Sequence, residues 1–420
     1  MALQLSKLLS QGGGSGGGGF GGNLYIPDVG SQMTLIDARD PETNPSGNIN
    51  DLWSNISWSR GNTVTNTSQD GVACWNMDNG YLETGTRTQL ARNYTLFYLW
   101  KPRNSDSGWR TVHRGDNDHW GIIQDGNTNL GMYSNRCSGF RDSGYDITRN
   151  QWQTWIVNGH SRGNTDCSGP SVHYVNGRIV GVSDRVGSGT NTYRLGWPGQ
   201  GPGKIAVAGV INNNVLQSGD IQNLHDSLAY RYNGILQNEN NMYYYEGNDC
   251  RAGMSNWNYS SEFVNMTELS GFGNTYVHGW GGSGRTYQLT LNSLPAHTQV
   301  RFSCKIHMVD SWDNEYNNVR VNNSNGSERE LCNWRHTYNR NYVDNLNVYN
   351  GAGVYQVFPN GPYSYRPWAN GSQGGDGYLE IDSRWYSHTN SQFRAWFRTD
   401  LNQSRTDEAY YIHDVRLDIQ

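Results

Sequence analysis

The chain has 420 residues, enough for two or three domains, and only 16% of them are charged. Its 32 Lys and Arg against 37 Asp and Glu leave a net charge of −5, which argues against a basic nucleic-acid binder. Mean hydropathy is −0.78, and no apolar run approaches the roughly 18 residues of a membrane-spanning helix.

The 27 Tyr, 16 Trp and 52 Gly point away from disorder and coiled coil and toward an all-β chain with short strands and long ordered loops. Residues 1–11 carry Leu3, Leu5, Leu8 and Leu9, enough for one or two helical turns and too short to be stable alone. This leader is a poor secretory signal; it reads as an anchor into a larger assembly or as a frayed terminus. Residues 12–22, GGGSGGGGFGG, form a flexible linker or strap, so that 1–22 stand apart from the folded bodies.

A first body spans 23–237. Strand-like stretches fall at 94–100, 121–124, 152–157, 172–175, 178–182 and 204–211, and Asn176-Gly177 between two of them is a strong hairpin signal. Residues 220–230 space Ile221, Leu224 and Leu228 as a short helix. A second body spans 243–420. There Val300, Phe302, Cys304, Ile306 and Met308 alternate with polar residues, as do Tyr287, Leu289 and Leu291, and as do Tyr411, His413, Val415, Leu417 and Ile419. The expected architecture is two jelly-roll-like β-sandwiches in tandem. The six cysteines make no CxxC pair; Cys137 with Cys167, and Cys250 with Cys304 or Cys332, are candidate disulfides, and buried free thiols are the alternative.

Within the first body the order of motifs is specific. Trp109 to His119 is followed by Leu130-Gly131-Met132-Tyr133, Gly139 to Asp146, Tyr174-Val175-Asn176-Gly177 and Gly203-Lys204-Ile205-Ala206-Val207-Ala208 before the short helix. This order resembles the laminin-G-like branch of the concanavalin A-like lectin/glucanase superfamily. The resemblance covers about half the chain. It implies a jelly-roll sandwich that binds glycans or acts structurally, often with calcium, of the kind found on phage virions and secreted microbial proteins. The second body carries Val309-Asp310-Ser311-Trp312-Asp313-Asn314-Glu315 and is similar, over two short segments, to β-sandwich modules of microbial extracellular proteins.

Candidate sites follow from side-chain chemistry. Asp116, Asn117, Asp118 and His119 make an oxygen-rich loop, Asp142 and Asp146 sit on the next loop, and His119, Trp120 or Tyr133 offers a ring on which a sugar face stacks. The bland alternative is that Arg114 and Asp118 simply pair. Calcium takes clustered oxygen ligands, so Asp310, Asp313, Asn314 and Glu315, with Asp407, Glu408 and Asp414 near the closing strand, form the candidate metal set; a turn with Asx hydrogen bonds over a buried Trp312 is the alternative. Glu380-Ile381-Asp382 resembles half of a retaining-glucanase motif, but position 384 is Arg and the second Glu is missing. No G-x-S-x-G, H-E-x-x-H or phosphate loop is present.

The expectation is therefore a non-enzymatic protein of a virion surface, or of the extracellular or cell surface. It binds glycans in many copies or as a homo-oligomer, meets other assembly subunits through the leader, and engages no nucleic acid and no membrane. The competing expectation is a structural subunit of a capsid lattice or fibre that binds no sugar; a secreted glycan hydrolase ranks third.

Overall fold

The computed structural model describes residues 26–27, 31–43, 47–91, 93–105, 107–136, 139–160, 170–184, 191–216, 218–232, 242–246, 255–259, 263–265, 276–280, 285–310, 312–337, 343–357, 377–402 and 408–420. The leader, the glycine strap, Cys137, Cys167, Cys250 and Asp407 lie outside these residues. Strand accounts for 62% of the described residues and helix for 5%, so the fold is all-β. Two compact units divide it, residues 1–238 and 239–420. Among the described residues no helix is long and apolar enough to cross a membrane.

Among its described residues the first unit has sixteen strands. They are β1 (Ser31–Asp37), β2 (Ile49–Asn50), β3 (Ser57–Gly61), β4 (Thr65–Gln69), β5 (Val72–Asn76), β6 (Tyr81–Gln89), β7 (Asn93–Pro102) and β8 (Arg110–Gly115), then β9 (Asp118–Ile123), β10 (Asn129–Ser134), β11 (Gly139–Asp146), β12 (Gln153–His160), β13 (Ser171–Val175), β14 (Arg178–Ser183), β15 (Asn191–Gly196) and β16 (Gly203–Asn212). One sheet runs β14-β13-β12-β7-β16-β5-β4, with β1 also on β16; the other runs β11-β10-β9-β8-β15-β6-β3-β2. Trp100, Trp155, Val157 and Ile205 of the first sheet meet Val112, Trp120, Ile123 and Met132 of the second in one buried core. The β13–β14 hairpin turns on Asn176 and Gly177 with φ of 51° and 74°, the twist-matched turn that Asn-Gly favours. The helix Ser218–Arg231 follows, with Ile221, Leu224 and Leu228 fully buried.

The second unit contains β17 (Met242–Glu246), β18 (Phe263–Asn265), β19 (Tyr276–Trp280), β20 (Thr286–Leu291), β21 (Gln299–Asp310), β22 (Asp313–Asn322), β23 (Glu328–Thr337), β24 (Asp344–Val348), β25 (Gly353–Val357), β26 (Gly377–Asp382), β27 (Tyr386–Ser387), β28 (Phe393–Thr399) and β29 (Glu408–Ile419). Its sheets run β18-β19-β29-β21-β26-β25, with β17 on β29 and β27 on β21, and β20-β28-β22-β23-β24. Every apolar residue of the alternating run in β21 is buried in the core between them.

The alternation expected for the terminal strand breaks. The register between β21 and β29 slips at Asp414, whose φ is 57°, so Tyr410 and Ile412 enter the core before that point and Val415 and Leu417 after it. Tyr411 and His413, expected in phase with Val415, are not among these core residues: one extra residue inverts the side-chain phase of everything beyond it. Cys74, Cys304 and Cys332 are free and buried.

Candidate functional site

In β9 an extra residue relative to β10 falls at Gly121, where the register slips from Gly131 opposite Ile122 to Met132 opposite Trp120. Gly121 has a φ of 60°, and a Cβ there would lie 2.7 Å from the Trp155 ring and 2.8 Å from Val112. Only glycine fits. The consequence is local. Trp120 and Ile123 both enter the core, while His119 and Ile122, three residues apart, both face away from it.

On that outer face a cavity of about 260 Å³ is lined by Trp109, Thr111, Arg114, His119, Ile122, Tyr133, Asn135 and Gln200. The register of β8, β9 and β10 sets Arg114 and Tyr133 on either side of His119. The Tyr133 ring stacks on His119, with centroids 6.0 Å apart and planes 15° apart. Trp109 stands edge-on to Tyr133 at 5.8 Å and to Phe140 at 5.6 Å. All three of these large rings are half-buried. The Thr111 hydroxyl donates to the Gln200 side-chain oxygen at 3.0 Å, and the Asn135 amide faces His119 Nε2 at 3.2 Å. Burial, and then the Arg114 guanidinium, hold the His119 pKa down at about 3, so its ring is neutral at physiological pH.

Beside the cavity runs a ladder of guanidinium groups and rings. Arg114 lies over Trp197 at 3.3 Å from the centroid, and Arg194 lies over Trp197 and Tyr81 at 4.6 Å each. Arg194 also pairs with Glu83 at 2.6 Å, and Arg87 pairs with Asp116 at 2.8 Å.

The residues expected from sequence at this end of the molecule separate. His119 and Tyr133 line the cavity. Trp120 does not: it is fully buried, and its indole N–H donates to the Tyr94 hydroxyl at 2.8 Å, so it presents no ring to a sugar. Asp116 is taken by Arg87 and by the Asn191 amide at 2.8 Å. The Asn117 carbonyl accepts the Asn135 N–H at 2.8 Å. Asp118 is buried, its pKa raised by that burial against the opposing pull of the Ser134 hydroxyl and Arg136. It faces those two groups, and Arg114 faces Trp197, so the alternative of an Arg114–Asp118 pair is not what forms. Asp142 is exposed on β11, accepting from Asn129 and from the Gly144 N–H at 2.8 Å each, and Asp146 accepts from Thr128. Neither lines the cavity. Trp109, Thr111, Ile122, Asn135 and Gln200 were not anticipated; a glycine inside the 118–123 strand was the one local signal that neighbours would be re-aimed.

The metal set of the second unit also separates. Register places Asp310 opposite Glu408, whereas Asp414 lies six residues farther along β29, about 20 Å at ~3.3 Å per residue. Ligands of one calcium ion sit within ~2.6 Å of it, so Asp414 does not share a site with that pair. Its carboxylate instead faces Lys305 at 3.5 Å, both side chains buried. The Glu315 carboxylate accepts the Asp313 N–H at 2.5 Å, the Asn314 carbonyl accepts from Arg335 at 2.7 Å, and Trp312 is fully buried. Among the described residues no three or more His, Cys, Asp or Glu side chains cluster as metal ligands. Asp382, of the glucanase-like fragment, is held by the Arg301 Nε at 2.9 and 3.1 Å.

No family model matches the chain, and no curated protein matches it. Among solved structures it is similar to the Trypanosoma rangeli sialidase, at 12% identity and a TM-score of 0.33, covering 49% of this chain and 34% of that one. It therefore spans about a third of the length of the sialidase. It is also similar to the Emp47p carbohydrate recognition domain (11% identity, TM-score 0.30, 44% of this chain and 99% of that one). A further likeness is to TmCBM61 in complex with β-1,4-galactotriose (13% identity, TM-score 0.25, 41% and 94%).

Proposed function

We propose that the first unit is a non-catalytic carbohydrate-binding module and that the cavity on the outer face of β8, β9 and β10 is its site. One observation carries the reading: the half-buried rings of Trp109 and Tyr133 stand in the wall of a cavity otherwise lined mainly by hydrogen-bonding side chains. The apolar C–H face of a pyranose stacks on such rings, and its hydroxyls need donors and acceptors of the kind Thr111, Asn135 and Gln200 supply. Most glycoside hydrolases use a pair of carboxylates flanking the bond, and the lining named above contributes rings, amides, a hydroxyl and a guanidinium but no carboxylate. We infer an extracellular or virion-surface setting in which many copies act together, since weak single sites gain avidity by multiplication.

The test is a glycan array with the whole protein and its Trp109→Ala variant, each run with calcium and with a chelator. Wild type binds a defined set of glycans. Trp109→Ala loses at least about tenfold in affinity, in line with the ~1.4 kcal/mol or more that a stacked ring contributes. Its unfolding midpoint stays close to wild type, because Trp109 lies outside the core. Binding lost on chelation adds calcium to the site. Absence of binding under both conditions overturns the reading in favour of a structural subunit.

A further inference from the structure

The cavity has one charged group in its lining, and that group has no ion-pair partner among the described residues. Of the eight lining residues only Arg114 carries a charge at neutral pH, since His119 is neutral. The other arginines of the ladder are compensated: Arg194 by Glu83, Arg87 by Asp116. Asp116, two residues from Arg114 and the nearest acidic contributor to its field, is already shared between Arg87 and Asn191. Arg114 instead lies with its guanidinium face on Trp197. Stacking uses the face of a guanidinium and leaves its in-plane N–H groups to reach an anion in fork geometry.

We propose that the sugar held in this cavity is an acidic one, a single pyranose bearing one carboxylate or sulfate that Arg114 receives while its ring packs on Trp109 and Tyr133. The proposal rests on the carbohydrate reading above and names the class of ligand within it. The volume supports one ring: about 260 Å³ falls just short of the roughly 300–1,000 Å³ of sites that enclose drug-sized ligands. The chemistry supports an anion. A guanidinium half-removed from water with no carboxylate beside it is costly unless a ligand supplies the counter-charge. The amide, hydroxyl and neutral imidazole around it suit the hydroxyls of the same ring.

The experiment is an array that pairs uronate-, sialate- and sulfate-bearing glycans with their neutral counterparts. It is read for the whole protein and for Arg114→Gln and Arg114→Lys, followed by titration of an oligogalacturonide against its methyl ester at two salt concentrations. The expected result is binding confined to acidic members, weakened by added salt. Arg114→Gln then loses roughly tenfold to a hundredfold, the scale of a charge-assisted hydrogen bond, and Arg114→Lys falls between. Carboxylate-only or sulfate-only hits tell the two anions apart. Binding of neutral glycans with equal strength, or Arg114→Gln binding acidic glycans as wild type does, overturns the proposal and leaves the carbohydrate reading standing. No binding of any glycan overturns both. An unchanged unfolding midpoint for Arg114→Lys shows that a loss in affinity is not a loss of fold.

Discussion

Each unit has a strand with one extra residue at mid-length, and the two bulges lead to different surfaces. In β9 the extra residue is Gly121, and it turns His119 and Ile122 together onto an outer face of rings and amides around a cavity. In β29 it is Asp414, and it places His413 and Asp414 beside His307 and Lys305 of β21. There every re-aimed group is buried and engaged: His307 and His413 meet nitrogen to nitrogen at 2.6 Å, Lys305 faces Asp414, Arg416 holds Asp418 at 2.7 Å, and Arg301 grips Asp382. A bulge re-aims side chains, and what those side chains then meet decides whether they are left for a ligand. In the first unit the guanidinium meets a ring and keeps its charge; in the second the charges meet one another.

The largest expected effect is that of acid, which attacks a device common to both units. Burial holds the pKa of His113, His119 and His173 at about 3, that of His388 at about 4, and those of His307 and His413 well below the ordinary 6.5. Each is neutral in the fold, whereas the unfolded chain takes up protons below pH ~6.5. Stability is therefore complete above that pH and declines as pH falls from about 6.5 toward 3, by up to about 1.4 kcal/mol per pH unit for each histidine. Urea midpoints measured between pH 7 and 4 should fall steeply, and His119→Gln should shallow the slope by about one histidine's share. A flat profile would mean these rings already bind protons in the fold.

Next in size is the pair that closes the outer face of the second unit. Arg301 and Asp382 have 9% and 1% of their side-chain surface exposed, so Arg301→Ala strands a buried carboxylate. The expected loss is about 3–5 kcal/mol, measured as the shift in the unfolding transition, while a double replacement by Met and Leu is close to neutral. If Arg301→Ala costs less than about 1 kcal/mol, water reaches this face, and the contrast with the open face of the first unit weakens.

The parts of this architecture that depend on uninterrupted period were legible in the sequence. The run 300–308 has every apolar residue in the core, and Asn176-Gly177 makes the hairpin turn that its chemistry demands. The helix over 218–231 buries the three residues that its spacing selected. What was not legible begins at each bulge. A strand's alternation fixes which neighbours share a face only until an extra residue intervenes, so Trp120, expected beside His119 as a stacking ring, turns into the core, and Asp414 leaves the acidic turn it was grouped with. Gly121 at least announced itself as a glycine within a strand. Asp414 did not, because an aspartate at positive φ looks in sequence like any other. Trp109 and Gln200 are 91 residues apart, and only the pairing of β8 with β15 brings their segments together. The charge balance on the outer face, which singles out Arg114, likewise exists only once Asp116 has found Arg87.

The smallest expected effect tests that last point. Arg87 has 58% of its side chain exposed and Asp116 26%, so their ion pair is screened by water and is worth under about 1 kcal/mol. Asp116→Asn should therefore leave the unfolding midpoint nearly unchanged. It should also leave glycan affinity within about twofold of wild type or slightly raised for acidic glycans, because the carboxylate is no part of the cavity lining and its removal leaves more positive charge near Arg114. A large loss of affinity in this variant would place the ligand at the β8–β9 turn rather than over Trp109 and Tyr133. The oxygen-rich loop would then be the site and the bulge at Gly121 only its support.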